Sequence, residues 1–435
     1  MASHEILIFN GARPERQPAN DTLSLTGPLD TVTHYITATG VLSLVPGGAK
    51  GIQARTTGNP RGNYSVDLQL SSNSVDQVAS GIGAALLGGD KNKVTADYSV
   101  ALGGQSNIVN SQFCVCLVGS SNIIYSGSNR GIICGGSSST INDAAAASIF
   151  GGSSNDIDGG DNSFIGGGIN NAVSGEGAVV VGGSNDTSSG TAAGIIAGQG
   201  NVASGGYTGV LAGKDNDATD SYDCVCGGLQ NEASGTYSAV LGGYAGTANG
   251  VASLVLSGRN CISSADSSMA GGRDSVAAHN YGVAYGRESK TQLESQFALS
   301  GGKIANAGDA QTMVSTSYRQ TTVGTPVALK LNAATDYLVI PADTCWSFRI
   351  LVVGLKSDGA QGAGYSFEGV IRRDGTADPV FVGTPGKVVL GEDDSAWDCT
   401  VQAHASTKAL IIWVTGAAAT TVNWAARIEF ASVQV

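Results

Sequence analysis

A glycine, usually one of a pair, returns about every 15 residues from Gly89 to Gly302, with steps drifting between about 14 and 17. Its positions are Gly89, Gly104, Gly119, Gly136, Gly152, Gly167, Gly183, Gly198, Gly213, Gly228, Gly243, Gly258, Gly272, Gly286 and Gly302. A fixed period of this length is the signature of a solenoid, and it excludes most globular folds before composition is considered. Each unit repeats the same pattern. Apolar residues stand three and two before the glycine, as in Val180-Val181 and Val240-Leu241. An asparagine often stands three after it, as at Asn92, Asn107, Asn170 and Asn231, and a small or branched residue five after it, as at Val94, Ile157 and Ala233.

Each position has a physical reading. The apolar run is a short strand, and the residue five after the glycine lies on a second one. The glycine marks a hard turn or a close backbone approach. Asparagine tolerates left-handed backbone, and stacked asparagines form hydrogen-bonded ladders. The repeat residues Gly104, Asn107, Gly167, Asn170, Gly228, Asn231 and Gly243 are therefore expected to be structural. Coils stacked about 4.8 Å apart would build a rod of roughly 70 Å. Adjacent strand residues point to opposite faces, so the two neighbouring apolar positions leave one apolar row outside the coil. Self-association along the rod would cover it, most simply as a parallel homo-oligomer.

The 64 glycines, 13% charged residues and 6% aromatics among 435 residues leave few amphipathic helical windows, so the fold class is all-β. A net charge of −12 opposes nucleic-acid binding and attachment to anionic membranes, and no apolar run is long enough to span a bilayer. With no leader-like N-terminus, synthesis in a cytoplasm with reduced cysteines is expected.

The stretch Tyr281-Gly-Val-Ala-Tyr-Gly286 and the stretch Gly235-Thr-Tyr-Ser-Ala-Val-Leu-Gly-Gly243 resemble the head repeats of trimeric autotransporter adhesins. The closer resemblance is to phage tail fibre and tail spike proteins, which join such repeats to a segment like Arg61–Gln69 and a β-rich C-terminal domain. Here that domain spans Trp346 to Val435, with landmarks Tyr365–Ile371, Glu392–Trp397, Ile412–Gly416 and Trp424–Ile428. The resemblance implies a left-handed, homotrimeric parallel β-solenoid. It also implies a virion component of the tail, assembled in the host cytoplasm and attached to other tail proteins by its N-terminal region. The partners it implies are a host surface glycan or protein.

The expected organisation is a capping or attachment region at 1–60, the solenoid shaft at 61–305, a linker at 306–320 and a C-terminal β-sandwich or jelly roll at 321–435. In the first region, Ile6–Phe9 reads as a strand, Asn20-Asp21 as a turn into an alternating strand, and Pro46-Gly-Gly48 as a turn. All four tryptophans fall in the last region, which therefore has material for its own core.

Sequence elements for chemistry are sparse. Cys224-x-Cys226 and Cys134 fall in slots filled elsewhere by Leu or Val, and Cys116 in the valine slot, so packing is expected rather than metal binding. A disulfide between Cys345 and Cys399 stays open. Gly209–Lys214 has the wrong spacing for a phosphate loop. Four scattered histidines nominate no catalytic site. The acidic pairs Asp156/Asp158, Asp215/Asp217 and Asp393-Asp394 read as exposed turn residues. No cofactor, metal or enzymatic activity is expected. The leading expectation is adhesion to the host surface through tip loops carrying Lys356, Asp358, Gln361, Arg372, Asp374, Asp378, Asp393 and Asp394. The alternatives are a polysaccharide-cleaving spike and a non-adhesive collar or decoration fibre.

Overall fold

The structure is a computed structural model that describes residues 7–9, 14–16, 52–53, 59–69, 74–332 and 336–435. The chain divides into one unit over Met1–Gly47 and a second over Gly48–Val435. In the first, Leu7–Phe9 pairs antiparallel with Pro14–Arg16. The expected turns and strand over residues 20–25 and 46–48 lie outside the described residues.

The second unit opens as a parallel β-solenoid of about 15 turns. Most coils carry two strands of two or three residues, and from Leu254–Arg259 onward one row lengthens to five or six. One row of strands runs by parallel pairing from Ile52–Gln53 through Val66–Asp67 and Val179–Val180 to Phe297–Gly301. The other forms a sheet of 13 strands from Lys93–Val94 to Val276–Ala277. So short a strand is unstable alone; its pairing with the coils before and after holds it. The interior is a single file of small and branched side chains, among them Leu86, Ile133, Ile149, Ile165, Val180 and Val240, all buried.

Beside this file runs the asparagine ladder. Asn155 Nδ2 donates to the carbonyls of Gly151 (2.9 Å) and Gly168 (3.1 Å), and Asn155 Oδ1 accepts from Asn171 N (3.1 Å). Asn107 and Asn231 repeat the pattern. One side chain thus ties two neighbouring coils, adding a second donor to the Gly168 carbonyl, which also accepts from Ser153 N (2.9 Å). The turning glycines carry positive φ, and a Cβ on Gly104 would stand 2.1 Å from the Gly119 carbonyl oxygen. Gly228 and Gly243 have the same environment.

The assignment of Gly167 and Asn170 is corrected by one residue. Gly168 takes the positive-φ turn and Asn171 the buried ladder site, whereas Gly167 meets nothing and Asn170 is exposed. Three glycines in a row, Gly166-Gly-Gly168, hide the register of a coil that is one residue longer.

Asp186 occupies a ladder site. Its Oδ1 accepts from Asn201 N (2.8 Å), but its buried Oδ2 has no partner. In neighbouring coils the corresponding atom is an Nδ2 that donates to two carbonyls, as from Asn171 to Gly167 and Gly183. Burial pushes the Asp186 carboxyl above its usual range.

The left-handed corner that closes each coil holds a column of residues that includes Tyr98, Phe113, Ala192, Tyr207, Tyr222, Tyr237, Ala252 and Tyr281. Tyr207, Tyr222 and Tyr237 stack at centroid spacings of 5.3 and 4.9 Å, within 9° of parallel. Left-handed backbone costs such a residue about 1–2 kcal/mol. An aromatic pair returns about 0.5–1.5 kcal/mol, so stacking roughly offsets the strain without exceeding it.

The strand Phe297–Gly301 then pairs antiparallel with Ala310–Thr321, so the row of shaft strands runs on into the terminal domain. Here the expected linker at 306–320 is corrected: Ala310–Thr321 is a 12-residue strand paired along its full length with Val422–Gln434. Its inward positions are Gln311, Met313, Ser315 and Ser317, mostly polar, so apolar alternation could not reveal it. The sheet continues through Thr344–Lys356, Gly362–Arg373 and Gly386–Glu392. A smaller antiparallel sheet, centred on Ala409–Thr415, packs onto it. The shared core holds Trp346, Trp397, Trp424, Tyr365 and Phe430, with Trp397 edge-on to Trp424 at 5.7 Å.

Candidate active site

Where the last coils meet the terminal domain, a cavity of about 570 Å³ is lined by His279, Asn280, Gln292, Glu294, Leu331, Asp336 and Tyr337, among others. Two successive coils and a segment of the terminal domain build it. His279 follows the coil strand Val276–Ala277, Glu294 precedes Phe297–Gly301, and Asp336 precedes Leu338–Val339.

The carboxyls of Glu294 and Asp336 are held together by Asn332, whose Nδ2 donates to Glu294 Oε2 (2.8 Å) and Asp336 Oδ2 (3.0 Å). The Asp336 backbone N–H donates back to Asn332 Oδ1 (3.1 Å), fixing that side chain. The Glu294 carboxyl is raised above its usual range, first by its hydrogen bond with Asp336 and then by burial. Two carboxyls in contact oppose each other's ionisation, which is why the Asp336 hydrogen bond leads the upward shift of Glu294. The same logic gives one acidic and one basic member to catalytic carboxyl pairs.

His279 Nδ1 lies 3.1 Å from the Thr291 carbonyl oxygen, which only accepts, so Nδ1 carries the proton and Nε2 is the basic nitrogen. Burial, with the nearby Lys290 charge, holds the imidazole below its usual range and therefore neutral at pH 7. One cavity thus collects a carboxyl pair and an imidazole. A second cavity of about 370 Å³ also touches His279 and is lined by Lys290, Asn306 and Gln434. Among the described residues, no group of three His, Cys, Asp or Glu side chains converges to hold a metal.

The acidic pairs singled out from sequence lie elsewhere. Asp156 and Asp158 point outward from one strand and bond to Thr140 and Asn142. Asp215 sits on a left-handed corner, while Asp217 faces outward beside Glu232 of the next coil. Burial, Glu232 and then Asp215 raise the Asp217 carboxyl. Asp393 Oδ2 accepts from Gly362 N (2.8 Å), and Asp394 Oδ1 from Ala396 N (2.9 Å), both serving turns.

The loops expected to touch a receptor divide into two groups. The Gly362–Asp393 bond joins the turn carrying Lys356, Asp358 and Gln361 to the one carrying Asp393 and Asp394. Lys356 pairs with Asp358 at 2.8 Å. Arg372, Asp374 and Asp378 lie at the other end of the 12-residue strand Gly362–Arg373, about 40 Å away at strand rise. There Asp378 pairs with Lys408. A single contact site does not include both groups.

The cysteine expectation also needs correcting. Cys116 is buried in the coil interior, but Cys224, Cys226 and Cys134 are only partly buried. Cys224 and Cys226 share the outer face, with Sγ atoms 3.9 Å apart. Residues two apart on a strand share a face, so both follow the outward row. Cys345 is exposed, Cys399 is buried, and both are free thiols.

No family model and no curated protein matches the chain. Solved structures do, and among them are phage tailspike proteins. Tailspike protein gp49 from Acinetobacter baumannii bacteriophage Fri1, a capsular polysaccharide depolymerase, aligns at 10% identity and a TM-score of 0.25, covering 86% of this chain and 73% of its own. The Acinetobacter baumannii phage AM24 tailspike aligns at 10% identity and a TM-score of 0.18, covering 85% and 67%. The Acinetobacter phage vB_ApiP_P1 tailspike aligns at 9% and 0.24, covering 87% and 81%. The expectation that the chain is not an enzyme is corrected here, because the Fri1 protein is a depolymerase. Superpositions this weak leave any mechanism to be argued from the chain's own residues.

Proposed function

We propose that this chain is a phage tailspike subunit that attaches to a bacterial surface polysaccharide and cleaves it in the cavity at the shaft–tip junction. The observation that carries the reading is the Glu294–Asp336 carboxyl pair, bridged by Asn332 Nδ2 and lining the same cavity as His279. Glycosidases that use two carboxylates keep them about 5–9.5 Å apart, on either side of the sugar. The touching pair here is too close for that, so it acts as one unit. The shared proton goes to the glycosidic oxygen as the anomeric C–O bond breaks. His279 Nε2 takes a proton from the water whose oxygen forms the new bond to the anomeric carbon. General acid and base groups each contribute about 10²–10⁴-fold.

The working unit in this reading is a parallel homotrimer carried by the virion tail, with residues 1–60 docking other tail proteins. An exposed apolar row supports it: Leu87, Leu102, Phe150, Val181, Ile196, Leu211, Leu241 and Leu299 all lie on the outer face of one sheet. A row so long exceeds the apolar patches of ordinary monomers. A second copy has the same coil spacing and so matches it rung for rung.

The test is release of reducing sugar from purified bacterial capsules. The native chain should release it, and Glu294→Gln and His279→Gln should each lower the rate at least about 100-fold with unchanged folding. Equal rates in the variants, or no release from any capsule, would overturn the reading.

A further inference from the structure

The stacked tyrosines of the shaft form an incomplete column. Tyr207, Tyr222 and Tyr237 are 59%, 49% and 60% exposed, the middle ring least because both its faces are covered. The column does not need aromatics in order to turn: Asn162, Gly177, Ala192, Ala252 and Ser267 make the same left-handed corner in other coils. Bulky residues are poor choices for that backbone. Stacking merely offsets the strain, so the fold gains little from three rings in succession.

The stack ends abruptly at the exposed Ala192 on one side and the exposed Ala252 on the other. The Tyr207 face toward Ala192 and the Tyr237 face toward Ala252 therefore have no ring stacked on them. Resting on the reading of the chain as a tailspike, we propose that these two shelves bind the rings of an uncharged glycan, each pyranose seated as one further rung of the stack. The apolar C–H face of a sugar ring packs on an aromatic face, and its hydroxyls meet what flanks the column. Those flanking residues include Thr191, Ser221 and Thr236. The charged side chains nearest in sequence are Lys214, Asp220, Asp223 and Glu232, three acidic against one basic, a net negative flank that disfavours a polyanion. A site of this kind on the shaft is separate from the junction cavity, so it would tether a polymer whose cleavage occurs elsewhere.

Affinity electrophoresis of the full chain through gels containing dextran, amylose, galactomannan or hyaluronan tests the assignment. The native protein should be retarded by at least one of the three uncharged glycans and not by hyaluronan. The combined variant Tyr207→Ala, Tyr222→Ala, Tyr237→Ala should raise the apparent dissociation constant at least about tenfold. The matching Phe variant, which keeps the ring faces, should behave as the native chain does. Glu294→Gln should remain fully retarded, so failure of the cleavage reading leaves this result standing. Retardation by hyaluronan alone, by none of the uncharged glycans, or unchanged in the Ala variant would overturn the proposal. A melting curve for the Ala variant matching the native one excludes loss through misfolding.

Discussion

The shaft and the tip solve the problem of burying apolar surface in opposite ways. In the shaft, each coil contributes one or two small side chains to a single interior file, and an asparagine ties it to its neighbours. In the tip, a few large aromatics from strands distant in sequence fill one core. The shaft therefore spreads its stability over repeated nearest-neighbour contacts, whereas the tip concentrates it in a handful of residues. The comparison also places chemistry. Repetition presents the same polar groups again and again, while the junction, where repetition stops, brings unlike segments together around Glu294, Asp336 and His279.

The largest expected effect breaks the tip. Trp424 packs on Trp397 and donates from Nε1 to Thr321 Oγ1 at 3.0 Å. Trp424→Ala should cost the tip about 3–5 kcal/mol, seen as an early step in guanidinium unfolding, while amides in the shaft stay protected from hydrogen exchange. Simultaneous loss of protection in distant coils would show that the two regions are not energetically distinct.

A smaller and more local effect is expected in the ladder. Asn155→Ala strips a partner from the Gly151 and Gly168 carbonyls and from Asn171 N–H, at about 1–3 kcal/mol for each group left buried and unpaired. Hydrogen exchange should rise in the coils flanking residue 155 and not at the tip. A uniform rise along the shaft would argue against nearest-neighbour stability.

Smallest, and opposite in sign, is Asp186→Asn, which restores the two-hydrogen donor of the ladder and should stabilise the shaft by about 1 kcal/mol at pH 7. Burial raises the folded-state pKa of Asp186 above that of the unfolded chain. Its acid form therefore contributes fully below the ordinary carboxylate range, and the contribution is lost as pH rises through the folded-state value. Melting temperatures measured across that window should fall with pH in the native chain more than in the variant. Parallel curves would contradict a proton on Asp186.

The same contrast explains what the sequence discloses. The coil period, the interior file and the ladder at Asn107 and Asn231 are legible because they are local and repeated. The register slips at Gly167, where three glycines offer equivalent anchors. Cys224 and Cys226 are misread because a slot filled by Leu elsewhere looks like core, although that slot faces outward. The strand Ala310–Thr321 is hidden by polar inward residues. Glu294 and Asp336 stand far apart in sequence, and only folding brings them onto one asparagine. The nearest available signal is that Glu294 lies in the last coil of the repeat, just before Gly302.

The central claim is that Glu294 and Asp336 share a catalytic proton, and the pH dependence of polysaccharide cleavage tests it most directly. Because the pair holds Glu294 above the usual carboxylate range, the rate should fall on the alkaline side only at a pH above that range. Asp336→Asn removes the partner and should move that limb toward lower pH. A limb that stays in place in Asp336→Asn, or cleavage by Glu294→Gln at the native rate and with the native profile, would contradict the account.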